Sequence, residues 1–164
     1  MNQTEQIVSK IQTWDQAKQT VSEWEEKGLK VVFSNGCFDL VHKGHVDYLA
    51  RARDLGDKLV IGLNSDASVS LLKGNARPVV DQDSRAFLLA GFSFIDLVVI
   101  FDEDTPYELV KLLQPDILVK GNDYKPEDIA GYDVVMAKGG EVITVELVEG
   151  YSTTALIDRI KKAF

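Results

Sequence analysis

Five short apolar runs, each bounded by turn residues and each followed by a stretch with helical spacing, constrain this fold more than any other feature of the chain. They cover residues 29–33, 58–63, 97–101, 117–120 and 141–145. Runs of this length, rich in Val, Ile and Leu, read as strands buried on both faces. Between them the spacing predicts a helix over 45–55, where His45, Tyr48, Leu49, Ala52 and Leu55 share a face and Gly56 ends the turn. Further helices are expected over 67–72, over 84–92 and after Thr105. There Pro106 would take the first helical position, Glu108 would complete the cap and Pro115 would end the helix. A leading helix over 13–27 presents Trp14, Ala17, Val21 and Trp24 on one face, with a Thr13/Gln16 capping box before it and Gly28 after it. A closing helix after Ser152 is expected to bury Leu156, Ile157 and Ile160. This alternation predicts an α/β fold, a five-stranded parallel sheet with helices on both faces in a three-layer sandwich. The 164 residues suit one domain, with 1–28 a leading helical segment and 29–164 the body.

Charge and cysteine content narrow the function classes. The net charge of -8, with no stripe of Lys and Arg, argues against a nucleic-acid partner. The single cysteine, Cys37, cannot form an internal disulfide, and with two histidines it cannot build a zinc framework. Residues 1–10 mix Gln, Glu and Lys with isolated apolar positions, unlike a signal sequence or a membrane span. A cytoplasmic protein with no membrane partner is expected, and a few local donors must meet any phosphate ligand.

In a parallel α/β sheet ligands bind beyond the carboxyl ends of the strands, where strand order reverses. The first strand runs into Ser34-Asn35-Gly36-Cys37-Phe38-Asp39 and then His42-Lys43-Gly44-His45, which holds both histidines of the chain. At a helix start, free N–H groups and the helix dipole favour an anion. Gly44 permits close approach, and His42 and His45 can donate to phosphate oxygens. Phosphoryl and nucleotidyl transfer depend mainly on alignment and on donors aimed at developing charge, so two imidazoles suit a triphosphate. A surface pair, or a metal site with Asp39, is the competing reading. It leaves Gly36 and Phe38 unexplained.

After the fourth strand, Lys120-Gly121-Asn122-Asp123-Tyr124 forms a turn that could meet a base or ribose, or could be an ordinary loop. After the fifth, Ser152-Thr153-Thr154 opens a helix whose hydroxyls and amides could hold phosphates, or could simply cap it. Lys73, Arg77 and Arg85 lie on or beside the loop after the second strand, where they could reach the triphosphate and an acceptor phosphate or remain solvated. Cys37 reads as a small turn residue and not a nucleophile. The acidic run Asp102-Glu103-Asp104 reads more simply as a solvated cap than as a magnesium site.

The stretch from Asn35 to His45 resembles the signature of the cytidylyltransferase-like nucleotidyltransferases. Closer still, Asn35-Gly36-Cys37-Phe38-Asp39, Asn64-Ser65-Asp66-Ala67-Ser68, Leu72-Lys73-Gly74, Arg77-Pro78-Val79, Glu103-Asp104-Thr105-Pro106, Leu118-Val119-Lys120-Gly121, Asp123-Tyr124 and Ser152-Thr153-Thr154 resemble the heptose 1-phosphate adenylyltransferases. The resemblance implies a Rossmann-like sheet and magnesium-dependent transfer of AMP from ATP to D-glycero-β-D-manno-heptose 1-phosphate. Pyrophosphate would be released, and the ADP-heptose would serve lipopolysaccharide or related glycans. It implies that His42, His45 and Lys73 act on the phosphates. It also implies that Asn35, Gly36, Cys37, Phe38, Gly44, Lys120, Gly121, Asp123, Tyr124 and Ser152–Thr154 bind the nucleotide, and that Arg77 and Arg85 hold the substrate phosphate. No protein-only metal site is expected, Mg²⁺ arriving with ATP. The resemblance is compatible with a homodimer. In some relatives the domain is fused to a sugar kinase, whereas this sequence is expected to stand alone. Asn122 stands where a glycine is common in that family, Tyr151 is bulkier than expected, and 92–94 is unusually aromatic. The alternatives are a cytidylyltransferase acting on glycerol 3-phosphate or a related alcohol phosphate, and a non-catalytic ATP sensor. An aminoacyl-tRNA synthetase fragment is disfavoured by length and acidity.

Overall fold

In the computed structural model, which describes residues 1–164, five parallel strands form one sheet. They are β1 (Val31–Gly36), β2 (Lys58–Asn64), β3 (Leu97–Phe101), β4 (Ile117–Gly121) and β5 (Glu141–Val145), in the order β3-β2-β1-β4-β5. The helices are α1 (Gln3–Ser9), α2 (Trp14–Glu26), α3 (Lys43–Arg53), α4 (Asp66–Lys73), α5 (Gln82–Ala90), α6 (Tyr107–Leu113), α7 (Tyr132–Ala137) and α8 (Thr153–Ala163). Side chains alternate across a strand, so each strand feeds two cores. Val32, Leu59, Ile61, Leu63, Val98, Ile117 and Val119 pack with Tyr48, Leu49 and Ala52 of α3 and Ala86, Leu89 and Ala90 of α5. Val31, Phe33, Val60, Leu97, Val99, Phe101 and Leu118 pack on the opposite face with Ala17 and Val21 of α2, residues of α6, and Val135 of α7. At about 1.5–3 kcal/mol for each fully buried aliphatic or aromatic side chain, these two layers dominate the favourable side of folding.

The Rossmann-like α/β expectation holds, and several details differ. The first strand begins at Val31 and runs through Gly36, because backbone pairing with β2 continues to Gly36↔Leu63. Pro106, not Thr105, is the N-cap of α6, and no side-chain cap bond forms there, although Thr105 Oγ1 accepts from the Tyr107 amide at 3.4 Å. The closing helix buries none of its residues. Leu156 and Ile157 are half-buried and Ile160 is 47% exposed, so the face is only partly covered. The leading helix is preceded by α1, whose capping box joins Asn2 and Glu5.

The strand order reverses between β1 and β4. Backbone pairing joins β1 to β2 over six residues but to β4 only at Val32↔Ile117 and Phe33↔Leu118, so the carboxyl ends of β1 and β4 splay apart. Two side chains bridge the split. The Tyr48 hydroxyl sits 2.8 Å from Ser34 Oγ and donates to the Val119 carbonyl at 3.0 Å, and Lys120 Nζ donates to the Asn35 carbonyl at 3.3 Å. No helix is long and apolar enough to cross a membrane.

Candidate active site

The splayed strand ends open into two adjoining cavities of about 420 and 570 Å³. The first gathers Asn35–Phe38, His42, Gly44 and His45 from the β1–α3 segment, Lys120, Gly121, Asp123 and Tyr124 from the end of β4, and Ser152–Thr154 from the start of α8. Lys73 and Arg77 line both cavities, so every sequence-predicted site residue except Arg85 reaches this crevice. Their separation in sequence is undone by the topology, since each segment follows a strand that ends at the same rim.

His42 is the N-cap of α3, with Nδ1 accepting from the Gly44 amide at 3.1 Å. His45 Nδ1 accepts from the His42 amide at 3.4 Å. The rings stack at 3.9 Å, and Phe38 meets His45 edge-on at 5.3 Å. With Nδ1 of each ring accepting a backbone proton, the neutral rings carry their own proton on Nε2. His42 Nε2 is sealed from solvent without a partner, a donor in want of an acceptor. A Cβ on Gly44 would come within 2.9 Å of both His42 Cε1 and Tyr151 Cβ, so only glycine lets the ring lie over this turn. At Gly121 a Cβ would meet Asp123 Oδ1 at 2.7 Å and crowd Leu147.

Burial, and then the neighbouring His42 ring, lowers the His45 pKa from 6.5 to about 4, so the ring is neutral at neutral pH. His42 is shifted in the same direction by burial. The folded state therefore resists a proton that the unfolded chain accepts. Stability contributed by His45 is complete above pH 6.5 and is lost as pH falls toward 4. Melting temperature measured against pH in the ligand-free protein should fall across that window, and His45→Gln should flatten the slope. An unchanged slope in the variant would mean that the ring titrates normally.

The cations are arranged for an anion. Lys120 lies 5.1 Å from the Tyr124 ring centroid; burial lowers its pKa while Asp123 opposes the shift. Neither Lys73 nor Lys120 is within ion-pair distance of a carboxylate. Arg77 gives Nε to Asp39 at 2.6 Å, and Asp39 also accepts from the Val79 and Val80 amides at 2.9 Å. This pins the loop between α4 and α5 against the motif. The Asp39 pKa is lowered despite burial, which pushes the other way, because those two amides and Arg77 hold the carboxylate ionised. Burial raises the Cys37 thiol pKa, which fits a turn residue better than a nucleophile.

Arg85 is a correction. Its side chain is 0% exposed and donates to the carbonyls of Val80, Cys37 and Asn64 and to Asp66 Oδ1. It is a buried strut between three loops, lines neither cavity and has four of its five N–H donors engaged within the protein. Sequence reasoning also missed Tyr48, Leu147 and Val148 as lining residues. A tyrosine on a buried helical face needs a polar partner, which was a usable signal for Tyr48. Leu147 and Val148 look like any apolar loop residues and gave none.

A family model described as cytidylyltransferase-like matches residues 33–159. The chain is 54% identical over 151 residues to the bifunctional protein HldE of Magnetococcus marinus, covering 92% of this chain and 31% of that protein. It is 54% identical over 154 residues to the bifunctional protein HldE of Campylobacter concisus, covering 94% and 31%. The chain thus spans about a third of the length of the curated relatives it matches. The crystal structure of the lipopolysaccharide core biosynthesis protein from Thermoplasma volcanium superposes with a TM-score of 0.58 at 27% identity, covering 76% of this chain and all of that one.

Proposed function

This chain belongs to the cytidylyltransferase-like family of nucleotidyltransferases, and from that premise we propose that it transfers AMP from ATP to D-glycero-β-D-manno-heptose 1-phosphate, giving ADP-heptose and pyrophosphate. One observation carries the reading. The split between β1 and β4 gathers two stacked neutral imidazoles, the cations of Lys73 and Lys120, and the hydroxyl-bearing start of α8 around one cavity. The choice of ATP and of heptose rests on the resemblance of the motifs. The Thermoplasma volcanium neighbour, a lipopolysaccharide core biosynthesis protein, supports a role in making that glycan.

In this mechanism a phosphate oxygen of the acceptor attacks the α-phosphorus of ATP, the bond to the bridging α–β oxygen breaks, and pyrophosphate departs opposite. The attacking oxygen is already anionic, so no side chain needs to remove a proton. His42 and His45 donate from Nε2 to phosphate oxygens on which charge develops, and Lys73 and Lys120 offset the charge of the triphosphate. Ser152–Thr154 and the free amides of α8 hold the terminal phosphates at the positive end of the helix. Asp123 is the one carboxylate lining the first cavity, and it is the side chain that would meet a magnesium ion arriving with the triphosphate. When bound, that ion supplies charge neutralisation as pyrophosphate leaves.

Pyrophosphate release measured with ATP and with CTP, each against heptose 1-phosphate and glycerol 3-phosphate, tests the proposal. Turnover with ATP and the heptose is the expected result. Turnover with CTP alone would transfer the assignment to a cytidylyltransferase, and tight ATP binding without turnover of any acceptor would make the chain a sensor.

A further inference from the structure

The second cavity is lined by charges of both signs. Where it joins the first, the shared lining supplies Lys73, Arg77 and Lys120. The charged residues that line it alone are all acidic: Asp39, Asp104 and Asp128. Asp39 is neutralised by Arg77 and by two amides. Asp104, in the β3–α6 loop, and Asp128, in the single 3-10 turn after β4, are exposed carboxylates with no ion-pair partner. At the junction, the amide oxygen of Asn35 is buried with no hydrogen-bond partner.

A ligand that puts one phosphate at the three cations shares the cavity with two unpaired carboxylates. Hydroxyl groups there can donate charge-assisted hydrogen bonds, whereas a second anion meets like charge that no neighbouring cation offsets. We propose that Asp104 and Asp128 read the acceptor at its outer end, binding the hydroxyls of a neutral polyhydroxylated body and excluding an acceptor that carries a second anionic group there. The inference rests on the adenylyl-transfer reading above and adds to it a residue-level basis for acceptor choice.

Pyrophosphate release with ATP, comparing heptose 1-phosphate with the same sugar bearing a second phosphate on its terminal carbon, tests it. The wild-type protein should prefer the monophosphate, and the double variant Asp104→Asn/Asp128→Asn should reduce the ratio of the two kcat/KM values by about tenfold or more. Asparagine can still accept from a hydroxyl but without the charge, so the monophosphate kcat/KM should fall by up to about tenfold, through KM and not kcat. Asp102→Asn, in the same acidic run but outside the cavity lining, should leave the ratio unchanged. A double variant with the wild-type ratio, an Asp102→Asn effect of equal size, or faster wild-type turnover of phosphoethanolamine than of the heptose would overturn the inference and leave adenylyl transfer standing. No turnover of the heptose monophosphate by the wild-type protein would instead remove the functional reading, and this inference with it.

Discussion

His45→Ala is expected to lower kcat for pyrophosphate release by about 10²- to 10³-fold, the usual loss when one preorganised donor to a transition-state oxygen is removed. The structural cost should be small. The only hydrogen bond the ring makes is the long one from the His42 amide, 3.4 Å, and its ring contacts are the stack on His42 and one edge-on pair with Phe38. Melting temperature should fall by no more than a few degrees, corresponding to about 1 kcal/mol. Fold and rate can therefore be separated. His45→Gln, which retains an N–H donor on a side chain of similar reach, should recover part of the rate. A near-normal rate in the alanine variant would take His45 out of the mechanism.

Arg85→Met should produce the largest loss of stability among the residues near the site, about 3–5 kcal/mol, because it leaves the carbonyls of Cys37, Asn64 and Val80 without their donors. For a chain of this size that is a drop of roughly 10 °C or more in melting temperature. The guanidinium ties Cys37 at the end of β1, Asn64 at the end of β2 and Val80 in the following loop, with Asp66 as its counter-charge. Arg85→Lys keeps the charge but can satisfy at most a few of these bonds with one ammonium, so it should fall between wild type and methionine. The alternative role in binding the acceptor phosphate predicts the opposite pattern. An Arg85→Met protein with unchanged melting temperature and a raised KM for the acceptor alone would reinstate it.

The contrast between His45 and Arg85 separates what could be read from the chain from what could not. His45 sits in a motif whose order, strand then glycine then paired imidazoles, has a local physical meaning: a helix start exposes amides, and the rings cap it. Arg85 looks like an exposed cation on a helix. Its partners lie 5, 48, 21 and 19 residues away, and no local pattern announces them. The short helices were hidden for a different reason. In α1 no residue is buried and in α7 only Val135 is, so neither carries enough apolar periodicity to be seen. The closing helix errs in the other direction, since Leu156, Ile157 and Ile160 have helical spacing but the face they define is only partly covered.

From residue order alone follow the strand-helix alternation, the parallel sheet, the leading capped helix and the histidine-bearing turn, because each depends on contacts within a few residues or on which face of an element meets water. Tertiary structure alone decides that β1 and β4 part beyond Leu118, that Tyr48 and Lys120 bridge the gap, and that Arg85 is a strut. It also decides that Asp104 and Asp128, from loops after different strands, face one cavity. These outcomes depend on pairings between groups distant in the chain, and a hydrogen bond or a field between such groups exists only once the sheet has brought them together.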